Sequence, residues 1–420
     1  MMVIEPRAVA ESGYERSAAV LDTRLLTRVR LKHYKSIAAC DVELGNLCFL
    51  VGPNGSGKSN FLDALRFVAE SLRYSLDHAI RDRGGIHEVR RRSGGHPTHL
   101  GIRLEFRLAD GLFGHFAFDV GARQKGAYSV QREECWLYGP DRARHFYRVE
   151  NGVVQSSFTP APAAAKDRLY LVSVSGLENF RPAFDALSGM GFYNLNPEAV
   201  RDLQPPDPGE LLNRDGGNLA SVLAVLADRA PALKERIEEY LSKVVPGVDA
   251  VDRVPVGNKE TLEFRQEVRG AAHPWRFPAA SMSDGTLRAL GVLVALFHRS
   301  VQPDAPRHLI GIEEPEVALH PAAAGVLIDA LRDARQHSQV LVTSHSPDLL
   351  DDEQIPDEAI RAVVADQGET RIGRLDVAGR SALRDHLYTA GELLRMDQLR
   401  PDPGESTVDP KQLRLFGSEA

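Results

Sequence analysis

The strongest constraint on the fold is the eight-residue segment Gly52-Pro53-Asn54-Gly55-Ser56-Gly57-Lys58-Ser59. An apolar run, Leu47–Val51, precedes it, and a helical pattern, Asn60–Val68, follows it. A strand, a glycine-rich loop and a helix in this order are the context of a phosphate-binding P-loop. The inward-turned N–H groups of such a loop and the positive end of the helix dipole form an anion site. The segment therefore predicts that the chain binds the phosphates of a nucleotide.

The motif also assigns roles to single residues. Lys58 is expected to reach the β- and γ-phosphates, and the Ser59 hydroxyl to take one Mg²⁺ coordination position. The residues expected to contact the nucleotide are Gly52, Pro53, Asn54, Gly55, Ser56, Gly57, Lys58, Ser59 and Asn60. A chance glycine-rich turn is the alternative, and the flanking strand and helix patterns argue against it.

A P-loop also needs a carboxylate for the Mg²⁺ and a group that positions the attacking water. The apolar segment Leu309–Ile312 ends in two acids, Glu313 and Glu314. We expect Glu313 to hold the Mg²⁺, directly or through water, and Glu314 to orient or activate the nucleophilic water. Taken alone, this acidic segment could equally begin a solvated helix.

Two further segments complete the set. Ser281–Thr286 opens an apolar helix whose N-terminus is a second anion site, and the apolar run Val340–Val342 leads to His345 at the carboxyl end of a strand. Singly, Ser283-Asp284-Gly285 is typical of a capping turn and His345 of a structural histidine. Only their joint order favours a functional interpretation.

In this order, the segments resemble the ABC-type ATPases of the SMC, RecF and OLD group. The P-loop resembles Walker A, Ile310–Glu314 Walker B, Ser283–Thr286 the signature motif, Ala318-Leu319-His320 the D-loop, and His345 the switch histidine. The resemblance covers about residues 25–350. It implies an α/β fold of the P-loop NTPase type with an ABC-ATPase head: a mixed sheet core, an antiparallel β lobe and an inserted helical subdomain.

The resemblance implies a site shared between two subunits. Two heads join head to tail in that family, with ATP between the Walker A of one and the signature of the other. This places Ser283 and Gly285 on the γ-phosphate in trans and His345 in cis. The candidate catalytic residues are then Lys58, Glu314 and His345, and the candidate metal ligands are Ser59 and Glu313.

Two positions depart from the family pattern. Glu313 stands where Walker B commonly has an aspartate, and the longer side chain could shift the Mg²⁺ or slow turnover. Asp284 in the signature argues against a transporter subunit. For the Q-loop, the candidates are the residues around Tyr193 and Asn196, or Gln131.

The hydrophobic pattern changes along the chain. Residues 98–157 alternate with period 2, which predicts an antiparallel sheet, whereas Leu169–Val174 fits a strand or a helix. We divide the chain into a flexible leader (residues 1–22), an N-terminal ATPase lobe with the Walker A motif and the antiparallel β subdomain (23–195), a helical subdomain (196–260), a C-terminal ATPase lobe (261–375), a C-terminal helix (376–399) and a disordered tail (400–420).

The composition of the chain limits its possible partners and its cellular compartment. The formal net charge is -7, so any contact with nucleic acid must come from a local basic patch. The three cysteines show no metal or disulfide spacing, which fits a reducing cytoplasm. The longest apolar stretch, Leu287–Phe297, is too short to span a bilayer, and the N-terminus lacks a hydrophobic signal core. We expect a cytoplasmic protein without a membrane partner.

Two short segments suggest macromolecular partners. Arg90, Arg91 and Arg92 form the most basic run, which is either a solvated loop or a DNA contact. The tail contains Gln412, Leu413, Leu415 and Phe416, and this segment resembles the peptide motif that docks on the bacterial sliding clamp. The alternative is an amphipathic tail that packs on its own domain.

The leading hypothesis is an ATPase that dimerises on ATP and acts in genome defence or DNA repair. Related proteins fuse or co-encode a toprim-type nuclease, and the residues after His345 do not fit one, so a nuclease or other effector would be a separate partner. The alternative is a slow or non-hydrolysing ATP switch that assembles an effector as a scaffold or sensor.

Overall fold

A computed structural model describes residues 22–92, 98–140, 143–299 and 307–417 of the chain. The predicted leader, residues 1–22, lies outside these ranges except for Asp22.

The described residues form sixteen strands in three sheets. In chain order they are β1 (Leu26–Tyr34), β2 (Ile37–Glu43), β3 (Leu47–Val51), β4 (His99–Arg107), β5 (Phe113–Ala122), β6 (Tyr128–Tyr138), β7 (Arg144–Glu150), β8 (Val153–Ser156), β9 (Gly191–Tyr193), β10 (Val248–Val256), β11 (Lys259–Gln266), β12 (Trp275–Pro278), β13 (Leu309–Glu313), β14 (Gln339–Ser344), β15 (Ile360–Asp366) and β16 (Glu369–Gly373).

The described ranges contain fourteen α-helices, the last three of which follow β16. They are α1 (Lys58–Arg73), α2 (Leu76–Arg81), α3 (Ile86–Val89), α4 (Tyr170–Val174), α5 (Arg181–Ser188), α6 (Pro197–Arg201), α7 (Leu219–Arg229), α8 (Pro231–Val244), α9 (Asp284–Phe297), α10 (Ala324–Ala334), α11 (Pro347–Leu350), α12 (Val377–Arg384), α13 (Ala390–Arg395) and α14 (Pro403–Ser406). The segment around Leu169–Val174, for which the sequence left strand and helix open, is helical.

The central sheet has six strands in the order β16-β15-β3-β14-β13-β9. Five of them are parallel, and β16 pairs antiparallel with β15 at one edge. The strands of this sheet come from both predicted ATPase lobes, so the two lobes share one core. Parallel strands need helices on both faces, and their continuous apolar sequences reflect this burial.

Alternate residues of β3 serve two separate hydrophobic cores. Cys48 and Leu50 face one cluster with α1, whereas Phe49 and Val51 face the other with α9. Because side chains alternate across a strand, one strand can join both cores. The P-loop strand is therefore clamped on both faces.

A seven-stranded antiparallel sheet, in the order β2-β1-β4-β5-β6-β7-β8, covers α1. The inward residues of β4 and β5, such as Ile102 and Phe118, are fully buried against the helix. This is the antiparallel β lobe that the alternation in residues 98–157 predicts, extended by β1 and β2. The mixed α/β architecture of the prediction is confirmed.

On the other face of the central sheet, α7–α9 pack with a small sheet in the order β10-β11-β12. The boundary predicted at residue 260 falls inside β11, which pairs with β10 from Val248 to Val256. The helical unit therefore extends through the hairpin. Alternation in residues 254–268 indicated strands, but not that they pack on the preceding helices.

The C-terminal segment differs from the prediction of disorder. Leu415 is buried at 4% exposure, and the Arg103 guanidinium donates to its carbonyl at 3.0 Å. The Gly417 N–H donates to Glu134 Oε1 at 2.8 Å, and Arg132 lies over the Phe416 ring. Polar composition suggested disorder, but a few apolar and backbone contacts suffice to hold the segment: Leu415–Gly417 lie on the outer face of the antiparallel sheet, and α14 packs beside β16 and β2.

Among the described residues, none of the helices combines the length and the apolar character required to cross a bilayer.

Candidate functional site

The P-loop connects β3 to α1, with Lys58 as the first residue of the helix. Gly57 has φ 101°, and a Cβ at this position would lie 2.0 Å from Thr370 Oγ1. Only glycine combines this left-handed backbone with so close an approach. The Thr370 hydroxyl donates to the Ser56 carbonyl at 2.9 Å and pairs with Ser36 Oγ at 2.7 Å. The hairpin of β15 and β16 thus supports the phosphate loop from one side.

Lys58 is buried and lies within its own loop. Its ammonium donates to the carbonyls of Gly52 at 2.8 Å and Pro53 at 3.0 Å. Burial lowers the pKa of Lys58, and the nearby carboxylates of Glu314 and Glu316 oppose that shift. An ammonium held over the loop in this way is placed to meet an incoming phosphate.

The register of the central sheet aligns the predicted motifs at one edge. Val51 of β3 pairs with Ser344 of β14, and Thr343 pairs with Glu313 of β13. Adjacent strands lie about 4.8 Å apart, so the P-loop strand and the Walker B strand end about 10 Å from each other. Ligands of open α/β sheets bind at this carboxyl edge.

Glu314 and His345 meet at that edge. Nδ1 of His345 lies 3.0 Å from Glu314 Oε1, and both side chains are about one-third exposed. Glu314 has φ 45°, a left-handed conformation that is uncommon outside glycine and that occurs at functional sites. Its N–H donates to the Thr343 carbonyl at 3.0 Å, which fixes the turn. A carboxylate and an imidazole are thus paired next to the phosphate loop.

Glu313 is held by a residue that the sequence did not indicate. Its Oε1 accepts from Arg214 Nη2 at 2.7 Å. The carbonyls of Arg214 and Asp215 accept from the N–H groups of Asn194 and Asn196, both at 2.9 Å, immediately after β9. This loop therefore delivers a cation to the carboxylate that was predicted to bind Mg²⁺.

The residues present fit a Mg²⁺ ion shared with a nucleotide. Ser59, the second residue of α1, is exposed and supplies a hydroxyl, and Glu313 supplies a carboxylate at the same edge of the sheet. Mg²⁺ is usually bound by one or two such groups together with phosphates and waters. In the described ranges no cluster of three or more His, Cys, Asp or Glu side chains forms a metal cage.

A third acid, Glu316, belongs to the cluster. The Ser344 hydroxyl donates to its Oε1 at 2.6 Å, whereas Oε2 is buried without a hydrogen-bond partner. Burial raises the pKa of Glu316, and the hydrogen bond from Ser344 opposes the rise. The sequence contained a signal for this residue in the run Glu313-Glu314-Pro315-Glu316, but the run by itself resembles a solvated helix start.

Arg288 of α9 ties the site to the signature helix. It donates to the carbonyls of Leu195 at 2.7 Å and Glu314 at 3.0 Å. Burial lowers the pKa of this guanidinium, and the neighbouring carboxylates oppose the shift. An arginine inside an otherwise apolar helix was the available sequence signal, although its partner could not be inferred.

The predicted signature residues lie at the start of α9. Ser283 is the N-cap and its Oγ accepts from the Thr286 N–H at 3.2 Å. A Cβ at Gly285 would lie 2.4 Å from the Ala318 carbonyl oxygen, so the predicted signature packs directly on the backbone of the predicted D-loop. In the described part of this single chain, neither Ser283 nor Gly285 hydrogen-bonds to the P-loop.

The Q-loop candidates separate into two places. Tyr193 is buried with its hydroxyl 3.4 Å from His298 Nε2, and Asn196 caps α6 just after the strand next to β13. Gln131 lies instead in β6 of the antiparallel sheet, against Gly121. Only the first pair is at the carboxyl edge of the central sheet.

Comparison with known proteins identifies the group. The family described as "AAA domain, putative AbiEii toxin, Type IV TA system" matches residues 47–125 and 131–351. The structure of an Smc head bound to the C-winged helix domain of ScpA has a TM-score of 0.52 and 15% identity, with 85% of this chain and 99% of that chain covered.

A second solved structure, the Smc head domain of Pyrococcus furiosus with an extended coiled coil bound to the C-terminal domain of ScpA, has a TM-score of 0.54 and 11% identity, with 87% and 99% covered. No curated protein matches the chain. At such identities, the likeness to Smc heads shows the fold alone. The family match covers well over half of the residues and includes the P-loop, Walker B and His345. The chain therefore belongs to this AAA family and has the fold of an ABC-type ATPase head.

Proposed function

We propose that the protein binds ATP with Mg²⁺ and hydrolyses it to ADP and phosphate. The observation that carries this proposal is the pairing of Glu314 with His345 at 3.0 Å, at the sheet edge where the P-loop begins. A carboxylate that can accept a proton from water, held by an imidazole beside a phosphate loop, is the arrangement that phosphoryl transfer to water requires.

The residues divide the work as follows. The N–H groups of the P-loop and Lys58 bind the phosphates, and Ser59 and Glu313 hold the Mg²⁺. The metal supplies neutralisation of the charge on the phosphates. Glu314 orients and activates the water, and His345 holds Glu314 and contacts the γ-phosphate.

We further propose that the site is completed by a second copy of the chain. Ser283 and Gly285 would approach the γ-phosphate in trans in a head-to-tail homodimer. The exposure of the P-loop residues and the separate position of the signature support this arrangement, since both anion sites lie open on one protomer.

Glu314→Gln tests both statements together. The amide keeps the size of the side chain but cannot accept the proton, so hydrolysis should fall by at least about a hundredfold. Dimers measured by light scattering with ATP should persist. Lys58→Ala serves as the control that loses nucleotide binding and dimers together. A monomeric wild type with full turnover would contradict the dimer, and unchanged turnover of Glu314→Gln would contradict the catalytic assignment.

The second candidate function is a slow or non-hydrolysing ATP switch that assembles an effector. The ion pair between Arg214 and Glu313 favours it, since the guanidinium competes with Mg²⁺ for this carboxylate. Such a protein would show ATP-dependent dimers with little turnover in the wild type. Burst and steady-state phosphate release from the wild type separate the two functions.

We propose a role in genome defence or DNA repair with a separately encoded nuclease or other effector, in the reducing cytoplasm that the three buried free thiols fit. Arg90, Arg91 and Arg92 are the candidate DNA contact. Arg91 already donates to the Ser36 carbonyl and Arg92 pairs with Glu88, so phosphates would compete with these partners. Replacing the three arginines by alanine should weaken duplex DNA binding; an unchanged affinity and salt dependence would exclude this contact.

The effector can be identified by co-purification with the Glu314→Gln variant from the native source. The ATP-bound dimer of this variant should retain the effector longest. Recovery of the same proteins with Lys58→Ala would show that capture does not depend on ATP.

Docking on a sliding clamp requires the tail to detach. Leu415 is buried and Phe416 lies under Arg132, so both anchors now contact their own domain. Replacing Leu415 and Phe416 by alanine should abolish clamp binding measured by surface plasmon resonance. Absence of measurable clamp binding by the wild type would refute the proposal that the tail docks on a sliding clamp.

A further inference from the structure

The outer face of the antiparallel sheet carries a groove that plays no part in the ATPase. Its volume is about 890 Å³, and its walls include Gly45, just before β3, and Arg361 near the start of β15. The P-loop follows the opposite, carboxyl end of β3. The groove and the nucleotide site therefore lie at opposite ends of β3.

The groove is basic in a protein that is acidic overall. Three glutamates line it, against six arginines: Arg24, Arg28, Arg103, Arg107, Arg144 and Arg361. The imidazole of His115 also lines the groove; it is buried, and burial lowers its pKa, so it adds no charge near neutrality. A positive groove on a chain of net charge -7 selects for a polyanion.

Carboxylates do not fully neutralise several of these guanidinium groups. Asp22 is shared by Arg24 at 2.8 Å and Arg107 at 3.4 Å. In the part of the chain that the structure describes, Arg144 and Arg361 pair with no carboxylate; Arg361 donates to backbone carbonyls, and Arg144 lies over the Tyr138 ring. Arg144 is exposed and can meet a phosphate directly, whereas Arg361 is buried at 5% exposure and adds its positive charge from the wall of the groove.

Four aromatic rings form a ladder across β5, β6 and β7. Phe113 stacks on Tyr138 with ring centroids 5.3 Å apart, and Trp136 stacks on Phe146 at 4.4 Å. Trp136 and Tyr138 are themselves nearly parallel, at 6.4 Å. Phe113 is 49% exposed at the end of the ladder, and the Trp136 indole N–H has no hydrogen-bond partner. The ladder thus ends in a half-exposed ring, and it includes a buried donor without a partner.

We propose that this groove binds a single-stranded nucleic acid, with bases stacked on the aromatic ladder at Phe113 and phosphates held by Arg144 and its neighbouring arginines. Stacked rings beside cations on a sheet face are the chemistry by which unpaired bases and their backbone are held. A duplex hides its base faces, and an acidic peptide offers none. The aromatic ladder therefore favours the single strand over both. The site goes beyond the proposed ATPase and does not depend on it.

The protein carries its own probe for this site. The chain has two tryptophans, and the second, Trp275, lies exposed on β12 of a different sheet. In a Trp275→Phe background, fluorescence reports on Trp136 alone. Titration of nucleotide-free protein with dT and rU oligomers of about 16 nucleotides should quench this emission saturably. The two sugars show which strand is preferred, and quenching by neither would overturn the proposal.

Salt and competitors sharpen the test. Three phosphates held by the accessible arginines Arg24, Arg107 and Arg144 predict a slope of about −2 for log affinity against log salt, at about −0.7 per phosphate. Duplex of the same length and polyglutamate should bind at least about tenfold more weakly. Equal binding of either one would overturn the proposal, because it would show attraction by charge without base stacking.

Two variants test the named residues. Phe113→Ala and Arg144→Ala should each weaken binding at least about fivefold. Arg181→Ala is the matched control, an exposed arginine on α5 whose partner is Asp185, and it should leave affinity unchanged. Because these measurements are made without ATP, loss of the groove and loss of the ATPase are separable. Unchanged affinity of both groove variants, with native circular dichroism, would refute the site.

Discussion

Arg214→Ala should make the protein more sensitive to Mg²⁺. In the structure Arg214 Nη2 holds Glu313 Oε1 at 2.7 Å, and the two side chains are 42% and 20% exposed. Mg²⁺ and Arg214 therefore compete for the same carboxylate. Removing the arginine leaves Glu313 free for the metal.

The magnitude follows from the exposure of the pair. Partly exposed ion pairs are worth about 0.2–1 kcal/mol, since water screens them. Competition from Arg214 therefore lowers the apparent affinity of the site for Mg²⁺ by a factor of about 1.4 to 5. The half-saturating Mg²⁺ concentration of Arg214→Ala should fall by that factor, and Arg214→Lys should lie between the variant and the wild type.

The assay is a Mg²⁺ titration of steady-state ATP hydrolysis at saturating ATP, with binding of a fluorescent ATP analogue as a second readout. Arg181→Ala is the control for loss of a surface arginine. A half-saturating concentration that stays the same or rises would refute the competition. If the KM for ATP rises while kcat is unchanged, Arg214 instead contributes uniform binding to the nucleotide.

Three other predictions each concern a single residue. Burial raises the pKa of Glu133 in β6 to about 7, so the folded state keeps a proton that the unfolded chain loses above about pH 4.5. The free energy of unfolding should therefore fall by about 3 kcal/mol between pH 4.5 and 7. Chemical denaturation should show this loss in the wild type but not in Glu133→Gln. Gly285→Ala places a Cβ 2.4 Å from the Ala318 carbonyl oxygen, so the unfolding free energy should drop by about 1–3 kcal/mol and ATP-dependent dimers should be lost in light scattering; unchanged stability would refute the close contact. Thr370→Val removes the hydroxyl that donates to the Ser56 carbonyl. The lost hydrogen bond is worth about 1 kcal/mol, so ATP affinity measured by calorimetry should fall by about fivefold. An unaltered affinity would show that the hairpin of β15 and β16 does not support the P-loop.

Much of the fold could be predicted because its signals are local. Alternation in residues 98–157 reports a sheet with one buried face, and the apolar runs before Gly52 and Glu313 report strands buried on both faces. The tail was predicted less well, since its composition is polar while a few buried residues, Pro401, Ser406 and Leu415, hold it on the domain. Composition averages over residues, whereas a few anchors can decide where a segment lies.

The candidate site divides in the same way. The alignment of β3, β14 and β13 brings Glu314 next to His345, as the order of the motifs suggested. The roles of these residues in catalysis and of Ser283 and Gly285 in trans remain predictions, which the variants above test. Arg214 and Arg288 could not be assigned beforehand, because nothing near them in the chain indicates their partners.

By itself, the sequence determined that this chain carries a phosphate-binding loop and an ordered set of ATPase motifs. It could do so because a P-loop is made of consecutive residues, whose backbone conformation depends on local glycines and a following helix. The tertiary structure alone decided which cation occupies Glu313, which hydroxyl supports the loop at Ser56, and which sheet face gathers arginines and aromatic rings. Each of these contacts joins residues about 100 or more positions apart, or neighbouring strands, so it depends on sheet register and loop conformation rather than on any local pattern.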